Sequence, residues 1–506
     1  MREPVLGTRS FRKLRIFWYF WKGAFKKLLI RNRKTIKIKE PSYKRLKPVG
    51  IKKSKVWGDE SRAVDLALSW AKEHTVSGGD PKTTFRPAEE LYQEVGETIT
   101  PEGLGADEAI RIYNDILKPA TRSSDDPMML SFIPGAPTRS AVAFDTAVSA
   151  ANVFGGMWEM GAGAIFAENQ VIDWIKSLLK WPASAKGTFV SGGTLGNLAA
   201  LATARHTAQE EWNALGRFQN GRPLTGFKLA CASTAHSSVR AVATVLDVEV
   251  VTVPVDERGH LTGDAVAHAL DENPGVFAVV CSTGTTNSGI IDDVADIVKA
   301  AHERGVWVHA DGAYGGAGLA APSVRGKYRG IEEVDSFIVD PHKWLFAPYD
   351  CCAVLYRKPE YARRTFSQHA EYLDLTQSSV DPSDFALHLS RRTRGLPLWY
   401  SLVTHGTKKY TEAIELALGY ARKTAGYIKK SDHLELIMEP ELSVVVFRRK
   451  GWTDRQYKEW SNRLAKAGDL LCIPTKHDGE TVLRLAFVNP DTDVDQVIHL
   501  LDTTMK

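Results

Sequence analysis

The sequence predicts an α/β protein, with a mainly parallel sheet in a large domain and a smaller α+β domain at the C-terminal end. Three observations carry that reading. From about Gly187 onward short apolar runs alternate with helical periodicity, which is the pattern of parallel strands joined by crossover helices. Beyond Arg391 the alternation stops and a long helix-rich stretch precedes isolated strand-like segments. At 506 residues the chain also exceeds the usual size of one domain, and its 43% hydrophobic and 25% charged residues are those of an ordinary globular protein.

Four segments follow in order: a basic extension over residues 1–57, a helical and loop-like stretch over 58–138, a large domain over 139–397 and a small domain over 398–506. Residues 1–55 hold 19 Lys and Arg against Glu3 and Glu40, a balance of +17. The chain's net +5 therefore leaves −12 for the remainder, so an acidic body carries a cationic head. Within the head Phe11, Leu14, Trp18, Trp21, Phe25 and Leu28 recur every three or four residues with lysines and arginines between them, which predicts an amphipathic helix. Its longest charge-free run, Ile16 to Trp21, is far short of the roughly 20 apolar residues of a membrane span. No apolar run followed by a small-residue cleavage site marks a signal peptide. The helix suits the surface of an anionic membrane or a docking face on a partner subunit, and both readings stay open. Specific nucleic-acid binding is not expected from lysine and arginine density alone.

The predicted strands are Gly187 to Val190, Phe227 to Cys231, Glu249 to Val253, Val276 to Cys281, Val306 to Ala310 and Asp335 to Val339. Between two of them Val294, Ile297, Val298 and Ala301 mark one face of a helix that closes at Gly305. In the C-terminal part, Leu398 to Ser431 reads as helical, Leu442 to Arg448 and Thr481 to Val488 as strands. The five cysteines show no CxxC spacing, which points to reduced, buried thiols in a cytosolic compartment and to no metal site.

Ligands of a parallel sheet sit beyond the carboxyl ends of its strands, and four motifs fall there. Asp335-Ser-Phe-Ile-Val-Asp-Pro-His-Lys-Trp-Leu345 ends an apolar strand in a turn carrying Lys343. Burial lowers an ammonium's pKa, as an amine needs for a Schiff base with an aldehyde, although a snorkelling lysine would look the same in isolation. Val306-Trp-Val-His-Ala-Asp-Gly-Ala-Tyr-Gly315 delivers Asp311 into a glycine-rich loop, where a carboxylate can keep a pyridinium nitrogen protonated or merely cap a turn. Thr188-Phe-Val-Ser-Gly-Gly-Thr-Leu-Gly-Asn197 runs from strand to helix and would offer Gly192 and Gly193 amides and the Thr194 hydroxyl to a phosphate. Ala232-Ser-Thr-Ala-His-Ser-Ser-Val239 puts His236 at the same edge, to stack on an aromatic ring or to cap a helix.

In this order Ser191-Gly-Gly-Thr, Ala235-His-Ser-Ser, Thr283-Gly-Thr-Thr286, His309-Ala-Asp-Gly-Ala-Tyr and Asp340-Pro-His-Lys-Trp resemble the pyridoxal-dependent group II decarboxylases, the family of aromatic-L-amino-acid, glutamate and diaminobutyrate decarboxylases. The resemblance spans roughly Phe132 to Tyr400. It implies pyridoxal-phosphate fold type I, a homodimer, and loss of the α-carboxylate of an L-amino acid as CO2. By the same resemblance Lys343 carries pyridoxal 5'-phosphate, Asp311 faces its ring nitrogen, His236 stacks on the ring, Thr285 and Ala313 are neighbours, and His342 lies on the phosphate side. Tyr372, in Glu371-Tyr-Leu-Asp374, lines up with the mobile-loop tyrosine that returns a proton to the carbon that has lost CO2.

Two departures matter. Asp340 stands where many relatives have Asn, and Ile133-Pro-Gly135 stands where aromatic decarboxylases have Phe-Pro-Thr, which leaves an aromatic substrate unsupported. Arg392 and Arg394 fit substrate binding or structural ion pairs equally. The competing functions are other pyridoxal-phosphate chemistry (oxidative deamination coupled to decarboxylation, a lyase or a transaminase) and a non-catalytic scaffold attached to a membrane.

Overall fold

The computed structural model describes residues 56–80, 86–219, 222–368 and 381–506. The amphipathic head and Tyr372 therefore lie outside the described residues. The chain divides into a short unit ending at Arg62 and a compact unit, Ala63–Lys506, which holds the sheets and the site discussed below. No described helix is long and apolar enough to cross a membrane. Among the described residues no group of His, Cys, Asp and Glu could hold a metal ion.

Among the described residues five α-helices lead into the large sheet: α1 (Ser61–Ser77), α2 (Ala88–Val95), α3 (Ala106–Ile112), α4 (Arg139–Ala151) and α5 (Trp158–Leu179). The sheet contains β1 (Lys186–Val190), β2 (Lys228–Ala232), β3 (Glu249–Val253), β4 (Val276–Ser282), β5 (Trp307–Asp311), β6 (Ser336–Val339) and β7 (Cys352–Tyr356). Their spatial order is β1-β7-β6-β5-β4-β2-β3, with β7 alone running against the others. All seven residues of β4 are buried, as a strand covered on both faces requires.

The crossover helices cover those faces. They are α6 (Gly193–Ala214), α7 (Ser237–Val245), α8 (Gly263–Glu272) and α9 (Val294–His302). The periodicity that predicted α9 is borne out, because Val294, Ile297, Val298 and Ala301 are its buried face and Gly305 follows in the left-handed region. Asp335 was expected in a strand but precedes it: its carboxylate accepts from the Val308 amide at 2.8 Å and anchors the start of β6. Strand β7 was not predicted. It returns from a single helical turn, α10 (Pro341–Trp344), through a connection too short to carry a crossover signal.

After α11 (Pro359–Phe366) and α12 (Leu396–His405), the long α13 (Thr407–Lys430) leads to a separate antiparallel sheet. This has β8 (Leu434–Leu436), β9 (Val444–Arg449), β10 (Thr475–His477) and β11 (Glu480–Ala486) in the order β8-β9-β11-β10, flanked by α14 (Asp454–Ala467) and α15 (Val494–Thr504). The β10–β11 hairpin turns on Asp478-Gly479, both at positive φ, the local chemistry that a two-residue hairpin demands. The small sheet touches the large one at the site's edge: Tyr314 Oη lies 2.5 Å from Ser443 Oγ and accepts the Ser443 amide at 3.0 Å. All five cysteines are free and buried, and burial pushes the Cys231 thiol up to about 11.

Candidate active site

The carboxyl ends of β1, β2, β4, β5 and β6 converge on a cavity of about 310 Å³. Of the residues singled out in the sequence, Gly192, Gly193, Thr194, His236, Thr285, Asp311, Ala313, His342 and Lys343 all line it. Tyr372 is not among the described residues.

Each strand end delivers its group for a local reason. At β1 the chain turns through Gly192 into α6, and no side chain caps that helix, so the first-turn amides are left for a ligand. A Cβ on Gly193 would meet the Asp340 carboxylate at 3.0 Å, so glycine lets the two loops approach closely without displacing that side chain. At β2, His236 is the N-cap of α7, its Nδ1 accepting the Ser238 amide at 3.2 Å. At β4, Thr285 Oγ1 accepts the Ile290 amide at 3.1 Å, which fixes the buried hydroxyl. At β5, Asp311 receives the Ala313 amide on Oδ1 and the Asn197 amide on Oδ2, each at 3.0 Å.

The β6 end is the most strongly polar. Lys343 Nζ lies 2.9 Å from Asp340 Oδ2, while Asp340 is almost wholly buried and its Oδ1 has no hydrogen-bond partner among the described residues. Burial alone would lower the Lys343 pKa, but the charge and hydrogen bond of Asp340 carry it above the ordinary lysine value. The sequence-based expectation of a lowered pKa is therefore reversed by a neighbour whose contact with Lys343 the sequence did not disclose. His342 turns Nδ1 to the Cys351 amide at 3.1 Å, and burial lowers its pKa. Its Cε1 lies 3.9 Å from where a Cβ on Gly192 would sit, beside the α6 turn.

One departure from the pattern that the resemblance sets, at Gly135, acquires a physical reason, and the two arginines find their partners. A Cβ on Gly135 would meet the His342 carbonyl at 2.4 Å, so this chain's close packing at Ile133-Pro-Gly135 leaves no room for threonine. Arg392 binds Asp145 and Ser149, and Arg394 binds Asp350, so both act as ion-pair donors outside the cavity lining. Arg391 pairs with buried Glu168.

Several residues escaped the sequence reading. Asn197, Ser238, His309, Ser336 and Trp307 form a buried hydrogen-bonded chain behind Asp311 and His236. A signal existed, since Trp307, His309 and Asp311 alternate along β5 and so share one face. Arg484, buried in β11, donates to the carbonyl of Phe132, which sits at positive φ.

The match that decides the family covers residues 92–450, against the pyridoxal-dependent decarboxylase conserved domain. The chain belongs to the pyridoxal-dependent decarboxylase family. It is 29% identical over 432 residues to the aromatic-L-amino-acid decarboxylase of Bacillus atrophaeus, covering 81% of this chain and 87% of that one. It is 27% identical over 470 residues to the L-2,4-diaminobutyrate decarboxylase of Acinetobacter baumannii, covering 88% and 90%. Among solved structures its fold is similar to Oryza sativa TDC with PLP and tryptamine, at TM-score 0.79 and 23% identity over 87% of this chain and 95% of that one. Mouse CSAD gives TM-score 0.77 at 22% identity, covering 88% and 98%. This member of the pyridoxal-dependent decarboxylases is a carboxy-lyase that removes CO2 from an amino acid with pyridoxal phosphate. Its cavity fits the cofactor chemically: uncapped helix amides for a phosphate, a carboxylate for a ring nitrogen, and a lysine amine on a third strand end.

Proposed function

We propose that Lys343 carries the cofactor, that Asp311 faces its ring nitrogen, and that the Gly192 and Gly193 amides with the Thr194 hydroxyl hold its phosphate. The observation that carries this reading is the convergence of all nine described candidates on one cavity at the sheet's carboxyl edge. When bound, pyridoxal phosphate supplies an electron sink for the pair of electrons left as CO2 departs. The chain's own part is to bind, orient and hold protons. Lys343 keeps its proton on the side of Asp340, and Asp311 is oriented by two N–H donors. His236 stacks on the ring, Thr285 and Ala313 flank it, and His342 lies toward the phosphate. Tyr372 returns the proton to the substrate carbon, a role that rests on the resemblance of its motif.

The active assembly is a homodimer in this reading. Phe132 and Tyr349 support it, being exposed by 59% and 56% close to the Gly135 and His342 wall, where a second subunit would cover them. The domain limits proposed are 58–138, 139–397 and 398–506. A cytoplasmic location agrees with five free, buried cysteines. The basic head at 1–55 directs the enzyme to an anionic membrane surface or clasps the partner subunit.

Borohydride reduction of the holoenzyme followed by peptide mass spectrometry tests the centre of this reading. A pyridoxyl group on Lys343, absent from Lys343→Ala, is the expected result. Its appearance on another lysine overturns the assignment. Screening amino acids for CO2 release identifies the substrate.

A further inference from the structure

We propose that Asn197 is a positioning residue that joins Asp311 and His236 through one directed hydrogen-bond chain and fixes His236 with its ring proton on Nε2. This deepens the reading in which those two groups face the cofactor.

The direction of every bond can be worked out. An indole N–H only donates, and Trp307 Nε1 donates to Ser336 Oγ at 2.8 Å. Ser336 Oγ keeps a second lone pair, so its bond to His309 Nδ1, 2.9 Å away, is directed from the other end: the Asp311 carboxylate takes Asn197 Nδ2, which leaves Asn197 Oδ1 to accept from His309 Nε2 and His309 Nδ1 to accept from Ser336. His309 is fully buried, and burial pushes its imidazole down to about 4, so it is neutral and carries its single proton on Nε2. That proton goes to Asn197 Oδ1 at 2.8 Å. The orientation of the Asn197 amide is set by Asp311, since a carboxylate only accepts.

Asn197 Nδ2 then donates twice, to Asp311 Oδ2 at 3.0 Å and to Ser238 Oγ at 3.1 Å. Ser238 Oγ lies 2.8 Å from His236 Nδ1 and gives it its hydrogen, because that nitrogen is held as an acceptor. The Ser238 backbone amide donates to the same nitrogen at 3.2 Å. Nδ1 therefore accepts and bears no proton, and the ring's hydrogen sits on Nε2, which bonds to no described residue of the chain that lines the cavity. His236 presents a donor there, not a base. Asn197, Ser238, His309 and Ser336 are all buried, so water does not compete for the bonds among them, while the His236 ring at the end of the chain is exposed. Without the Asn197 donor, Ser238 Oγ loses the partner that turns its hydrogen toward His236, and only the 3.2 Å contact with the Ser238 backbone amide still disfavours the alternative Nδ1–H form.

Histidine 15N NMR of the cofactor-free protein, with His236→Gln used to assign the signal, reads the tautomer directly. Wild type is expected to show His236 as Nε2–H, and Asn197→Ala to raise the Nδ1–H fraction severalfold. Asn197→Asp keeps the shape but removes the donor, and is expected to do the same if the alanine variant folds poorly. In the holoenzyme Asn197→Ala should lower kcat by about 10- to 100-fold, the loss of a hydrogen bond to a charged group, with KM nearly kept. A wild-type Nδ1–H form, or a tautomer unmoved in both variants, overturns the proposal. Because the NMR reading needs no cofactor, it stands or falls separately from the borohydride mapping of Lys343.

Discussion

Replacing Asp340 with asparagine tests whether this carboxylate holds the proton of Lys343. The two groups are 2.9 Å apart. At an effective dielectric of about 20 their Coulomb attraction is about 6 kcal/mol, and desolvation of the buried carboxylate leaves about 1.5–3 kcal/mol for the charge-assisted bond. Removing it should raise the fraction of unprotonated Lys343 at neutral pH by about 10- to 100-fold. The assay is the rate at which cofactor-free protein captures pyridoxal phosphate, followed by visible absorbance between about pH 6 and pH 9. In wild type the rate should climb with pH across the window. In Asp340→Asn it should be higher at every pH and level off earlier. The sign of the stability effect differs. Lys343 has a folded pKa above its ordinary value, so the pair's contribution is complete below the unfolded lysine pKa and is lost only as pH rises through the folded one. The fall in thermal midpoint caused by the substitution should thus be flat across the window. Equal or slower capture by the variant, or an unmoved plateau, would refute the role given to Asp340.

Other expectations follow from the same geometry. Asp311→Asn keeps shape but removes the charge facing the ring nitrogen, so turnover should drop by at least about 100-fold with little change in thermal midpoint, measured by CO2 release and calorimetry. Gly135→Ala places a Cβ 2.4 Å from the His342 carbonyl and should cost about 1–3 kcal/mol of stability, read by denaturant unfolding. Tyr372→Phe should slow protonation of the carbon and let dissolved oxygen compete as the oxidant, giving some carbonyl with ammonia and peroxide in place of amine, and an unchanged amine yield with no carbonyl product removes Tyr372 from the mechanism. Full-length protein should bind anionic vesicles at low salt and a chain starting near Val56 should not. If that shorter chain sediments as a monomer instead, the head is a clasp between subunits.

The parts of this enzyme legible in its sequence are those written in local, one-dimensional patterns. The alternation of apolar runs with helical stripes marked six of the seven strands of the large sheet, because a strand buried on both faces cannot avoid a continuous apolar run. The motif residues were legible because each follows a strand at its carboxyl end, and the topology of a parallel sheet brings such ends together without further information. Strand β7 was missed because it reverses direction after only the single turn of α10, which is too short to announce a crossover.

What the sequence withheld was pairing across distance. Asp340 and Lys343 are three residues apart, yet nothing in that spacing says that the carboxylate is buried against the amine, and this contact reverses the expected direction of the lysine's pKa shift. Asn197 and His309 are 112 positions apart. Asn197 lies one helical turn beyond Gly193 and so faces the sheet, where the alternation of β5 sets His309 between Trp307 and Asp311. Each position taken singly reads as an ordinary buried polar residue. Only when the helix lies on the sheet do the one-way groups, a carboxylate that can only accept and a backbone amide that can only donate, leave a single consistent direction for the protons between them. The cofactor-facing groups are thus legible as motifs, while the protonation of those groups is a property of the packed layers behind them.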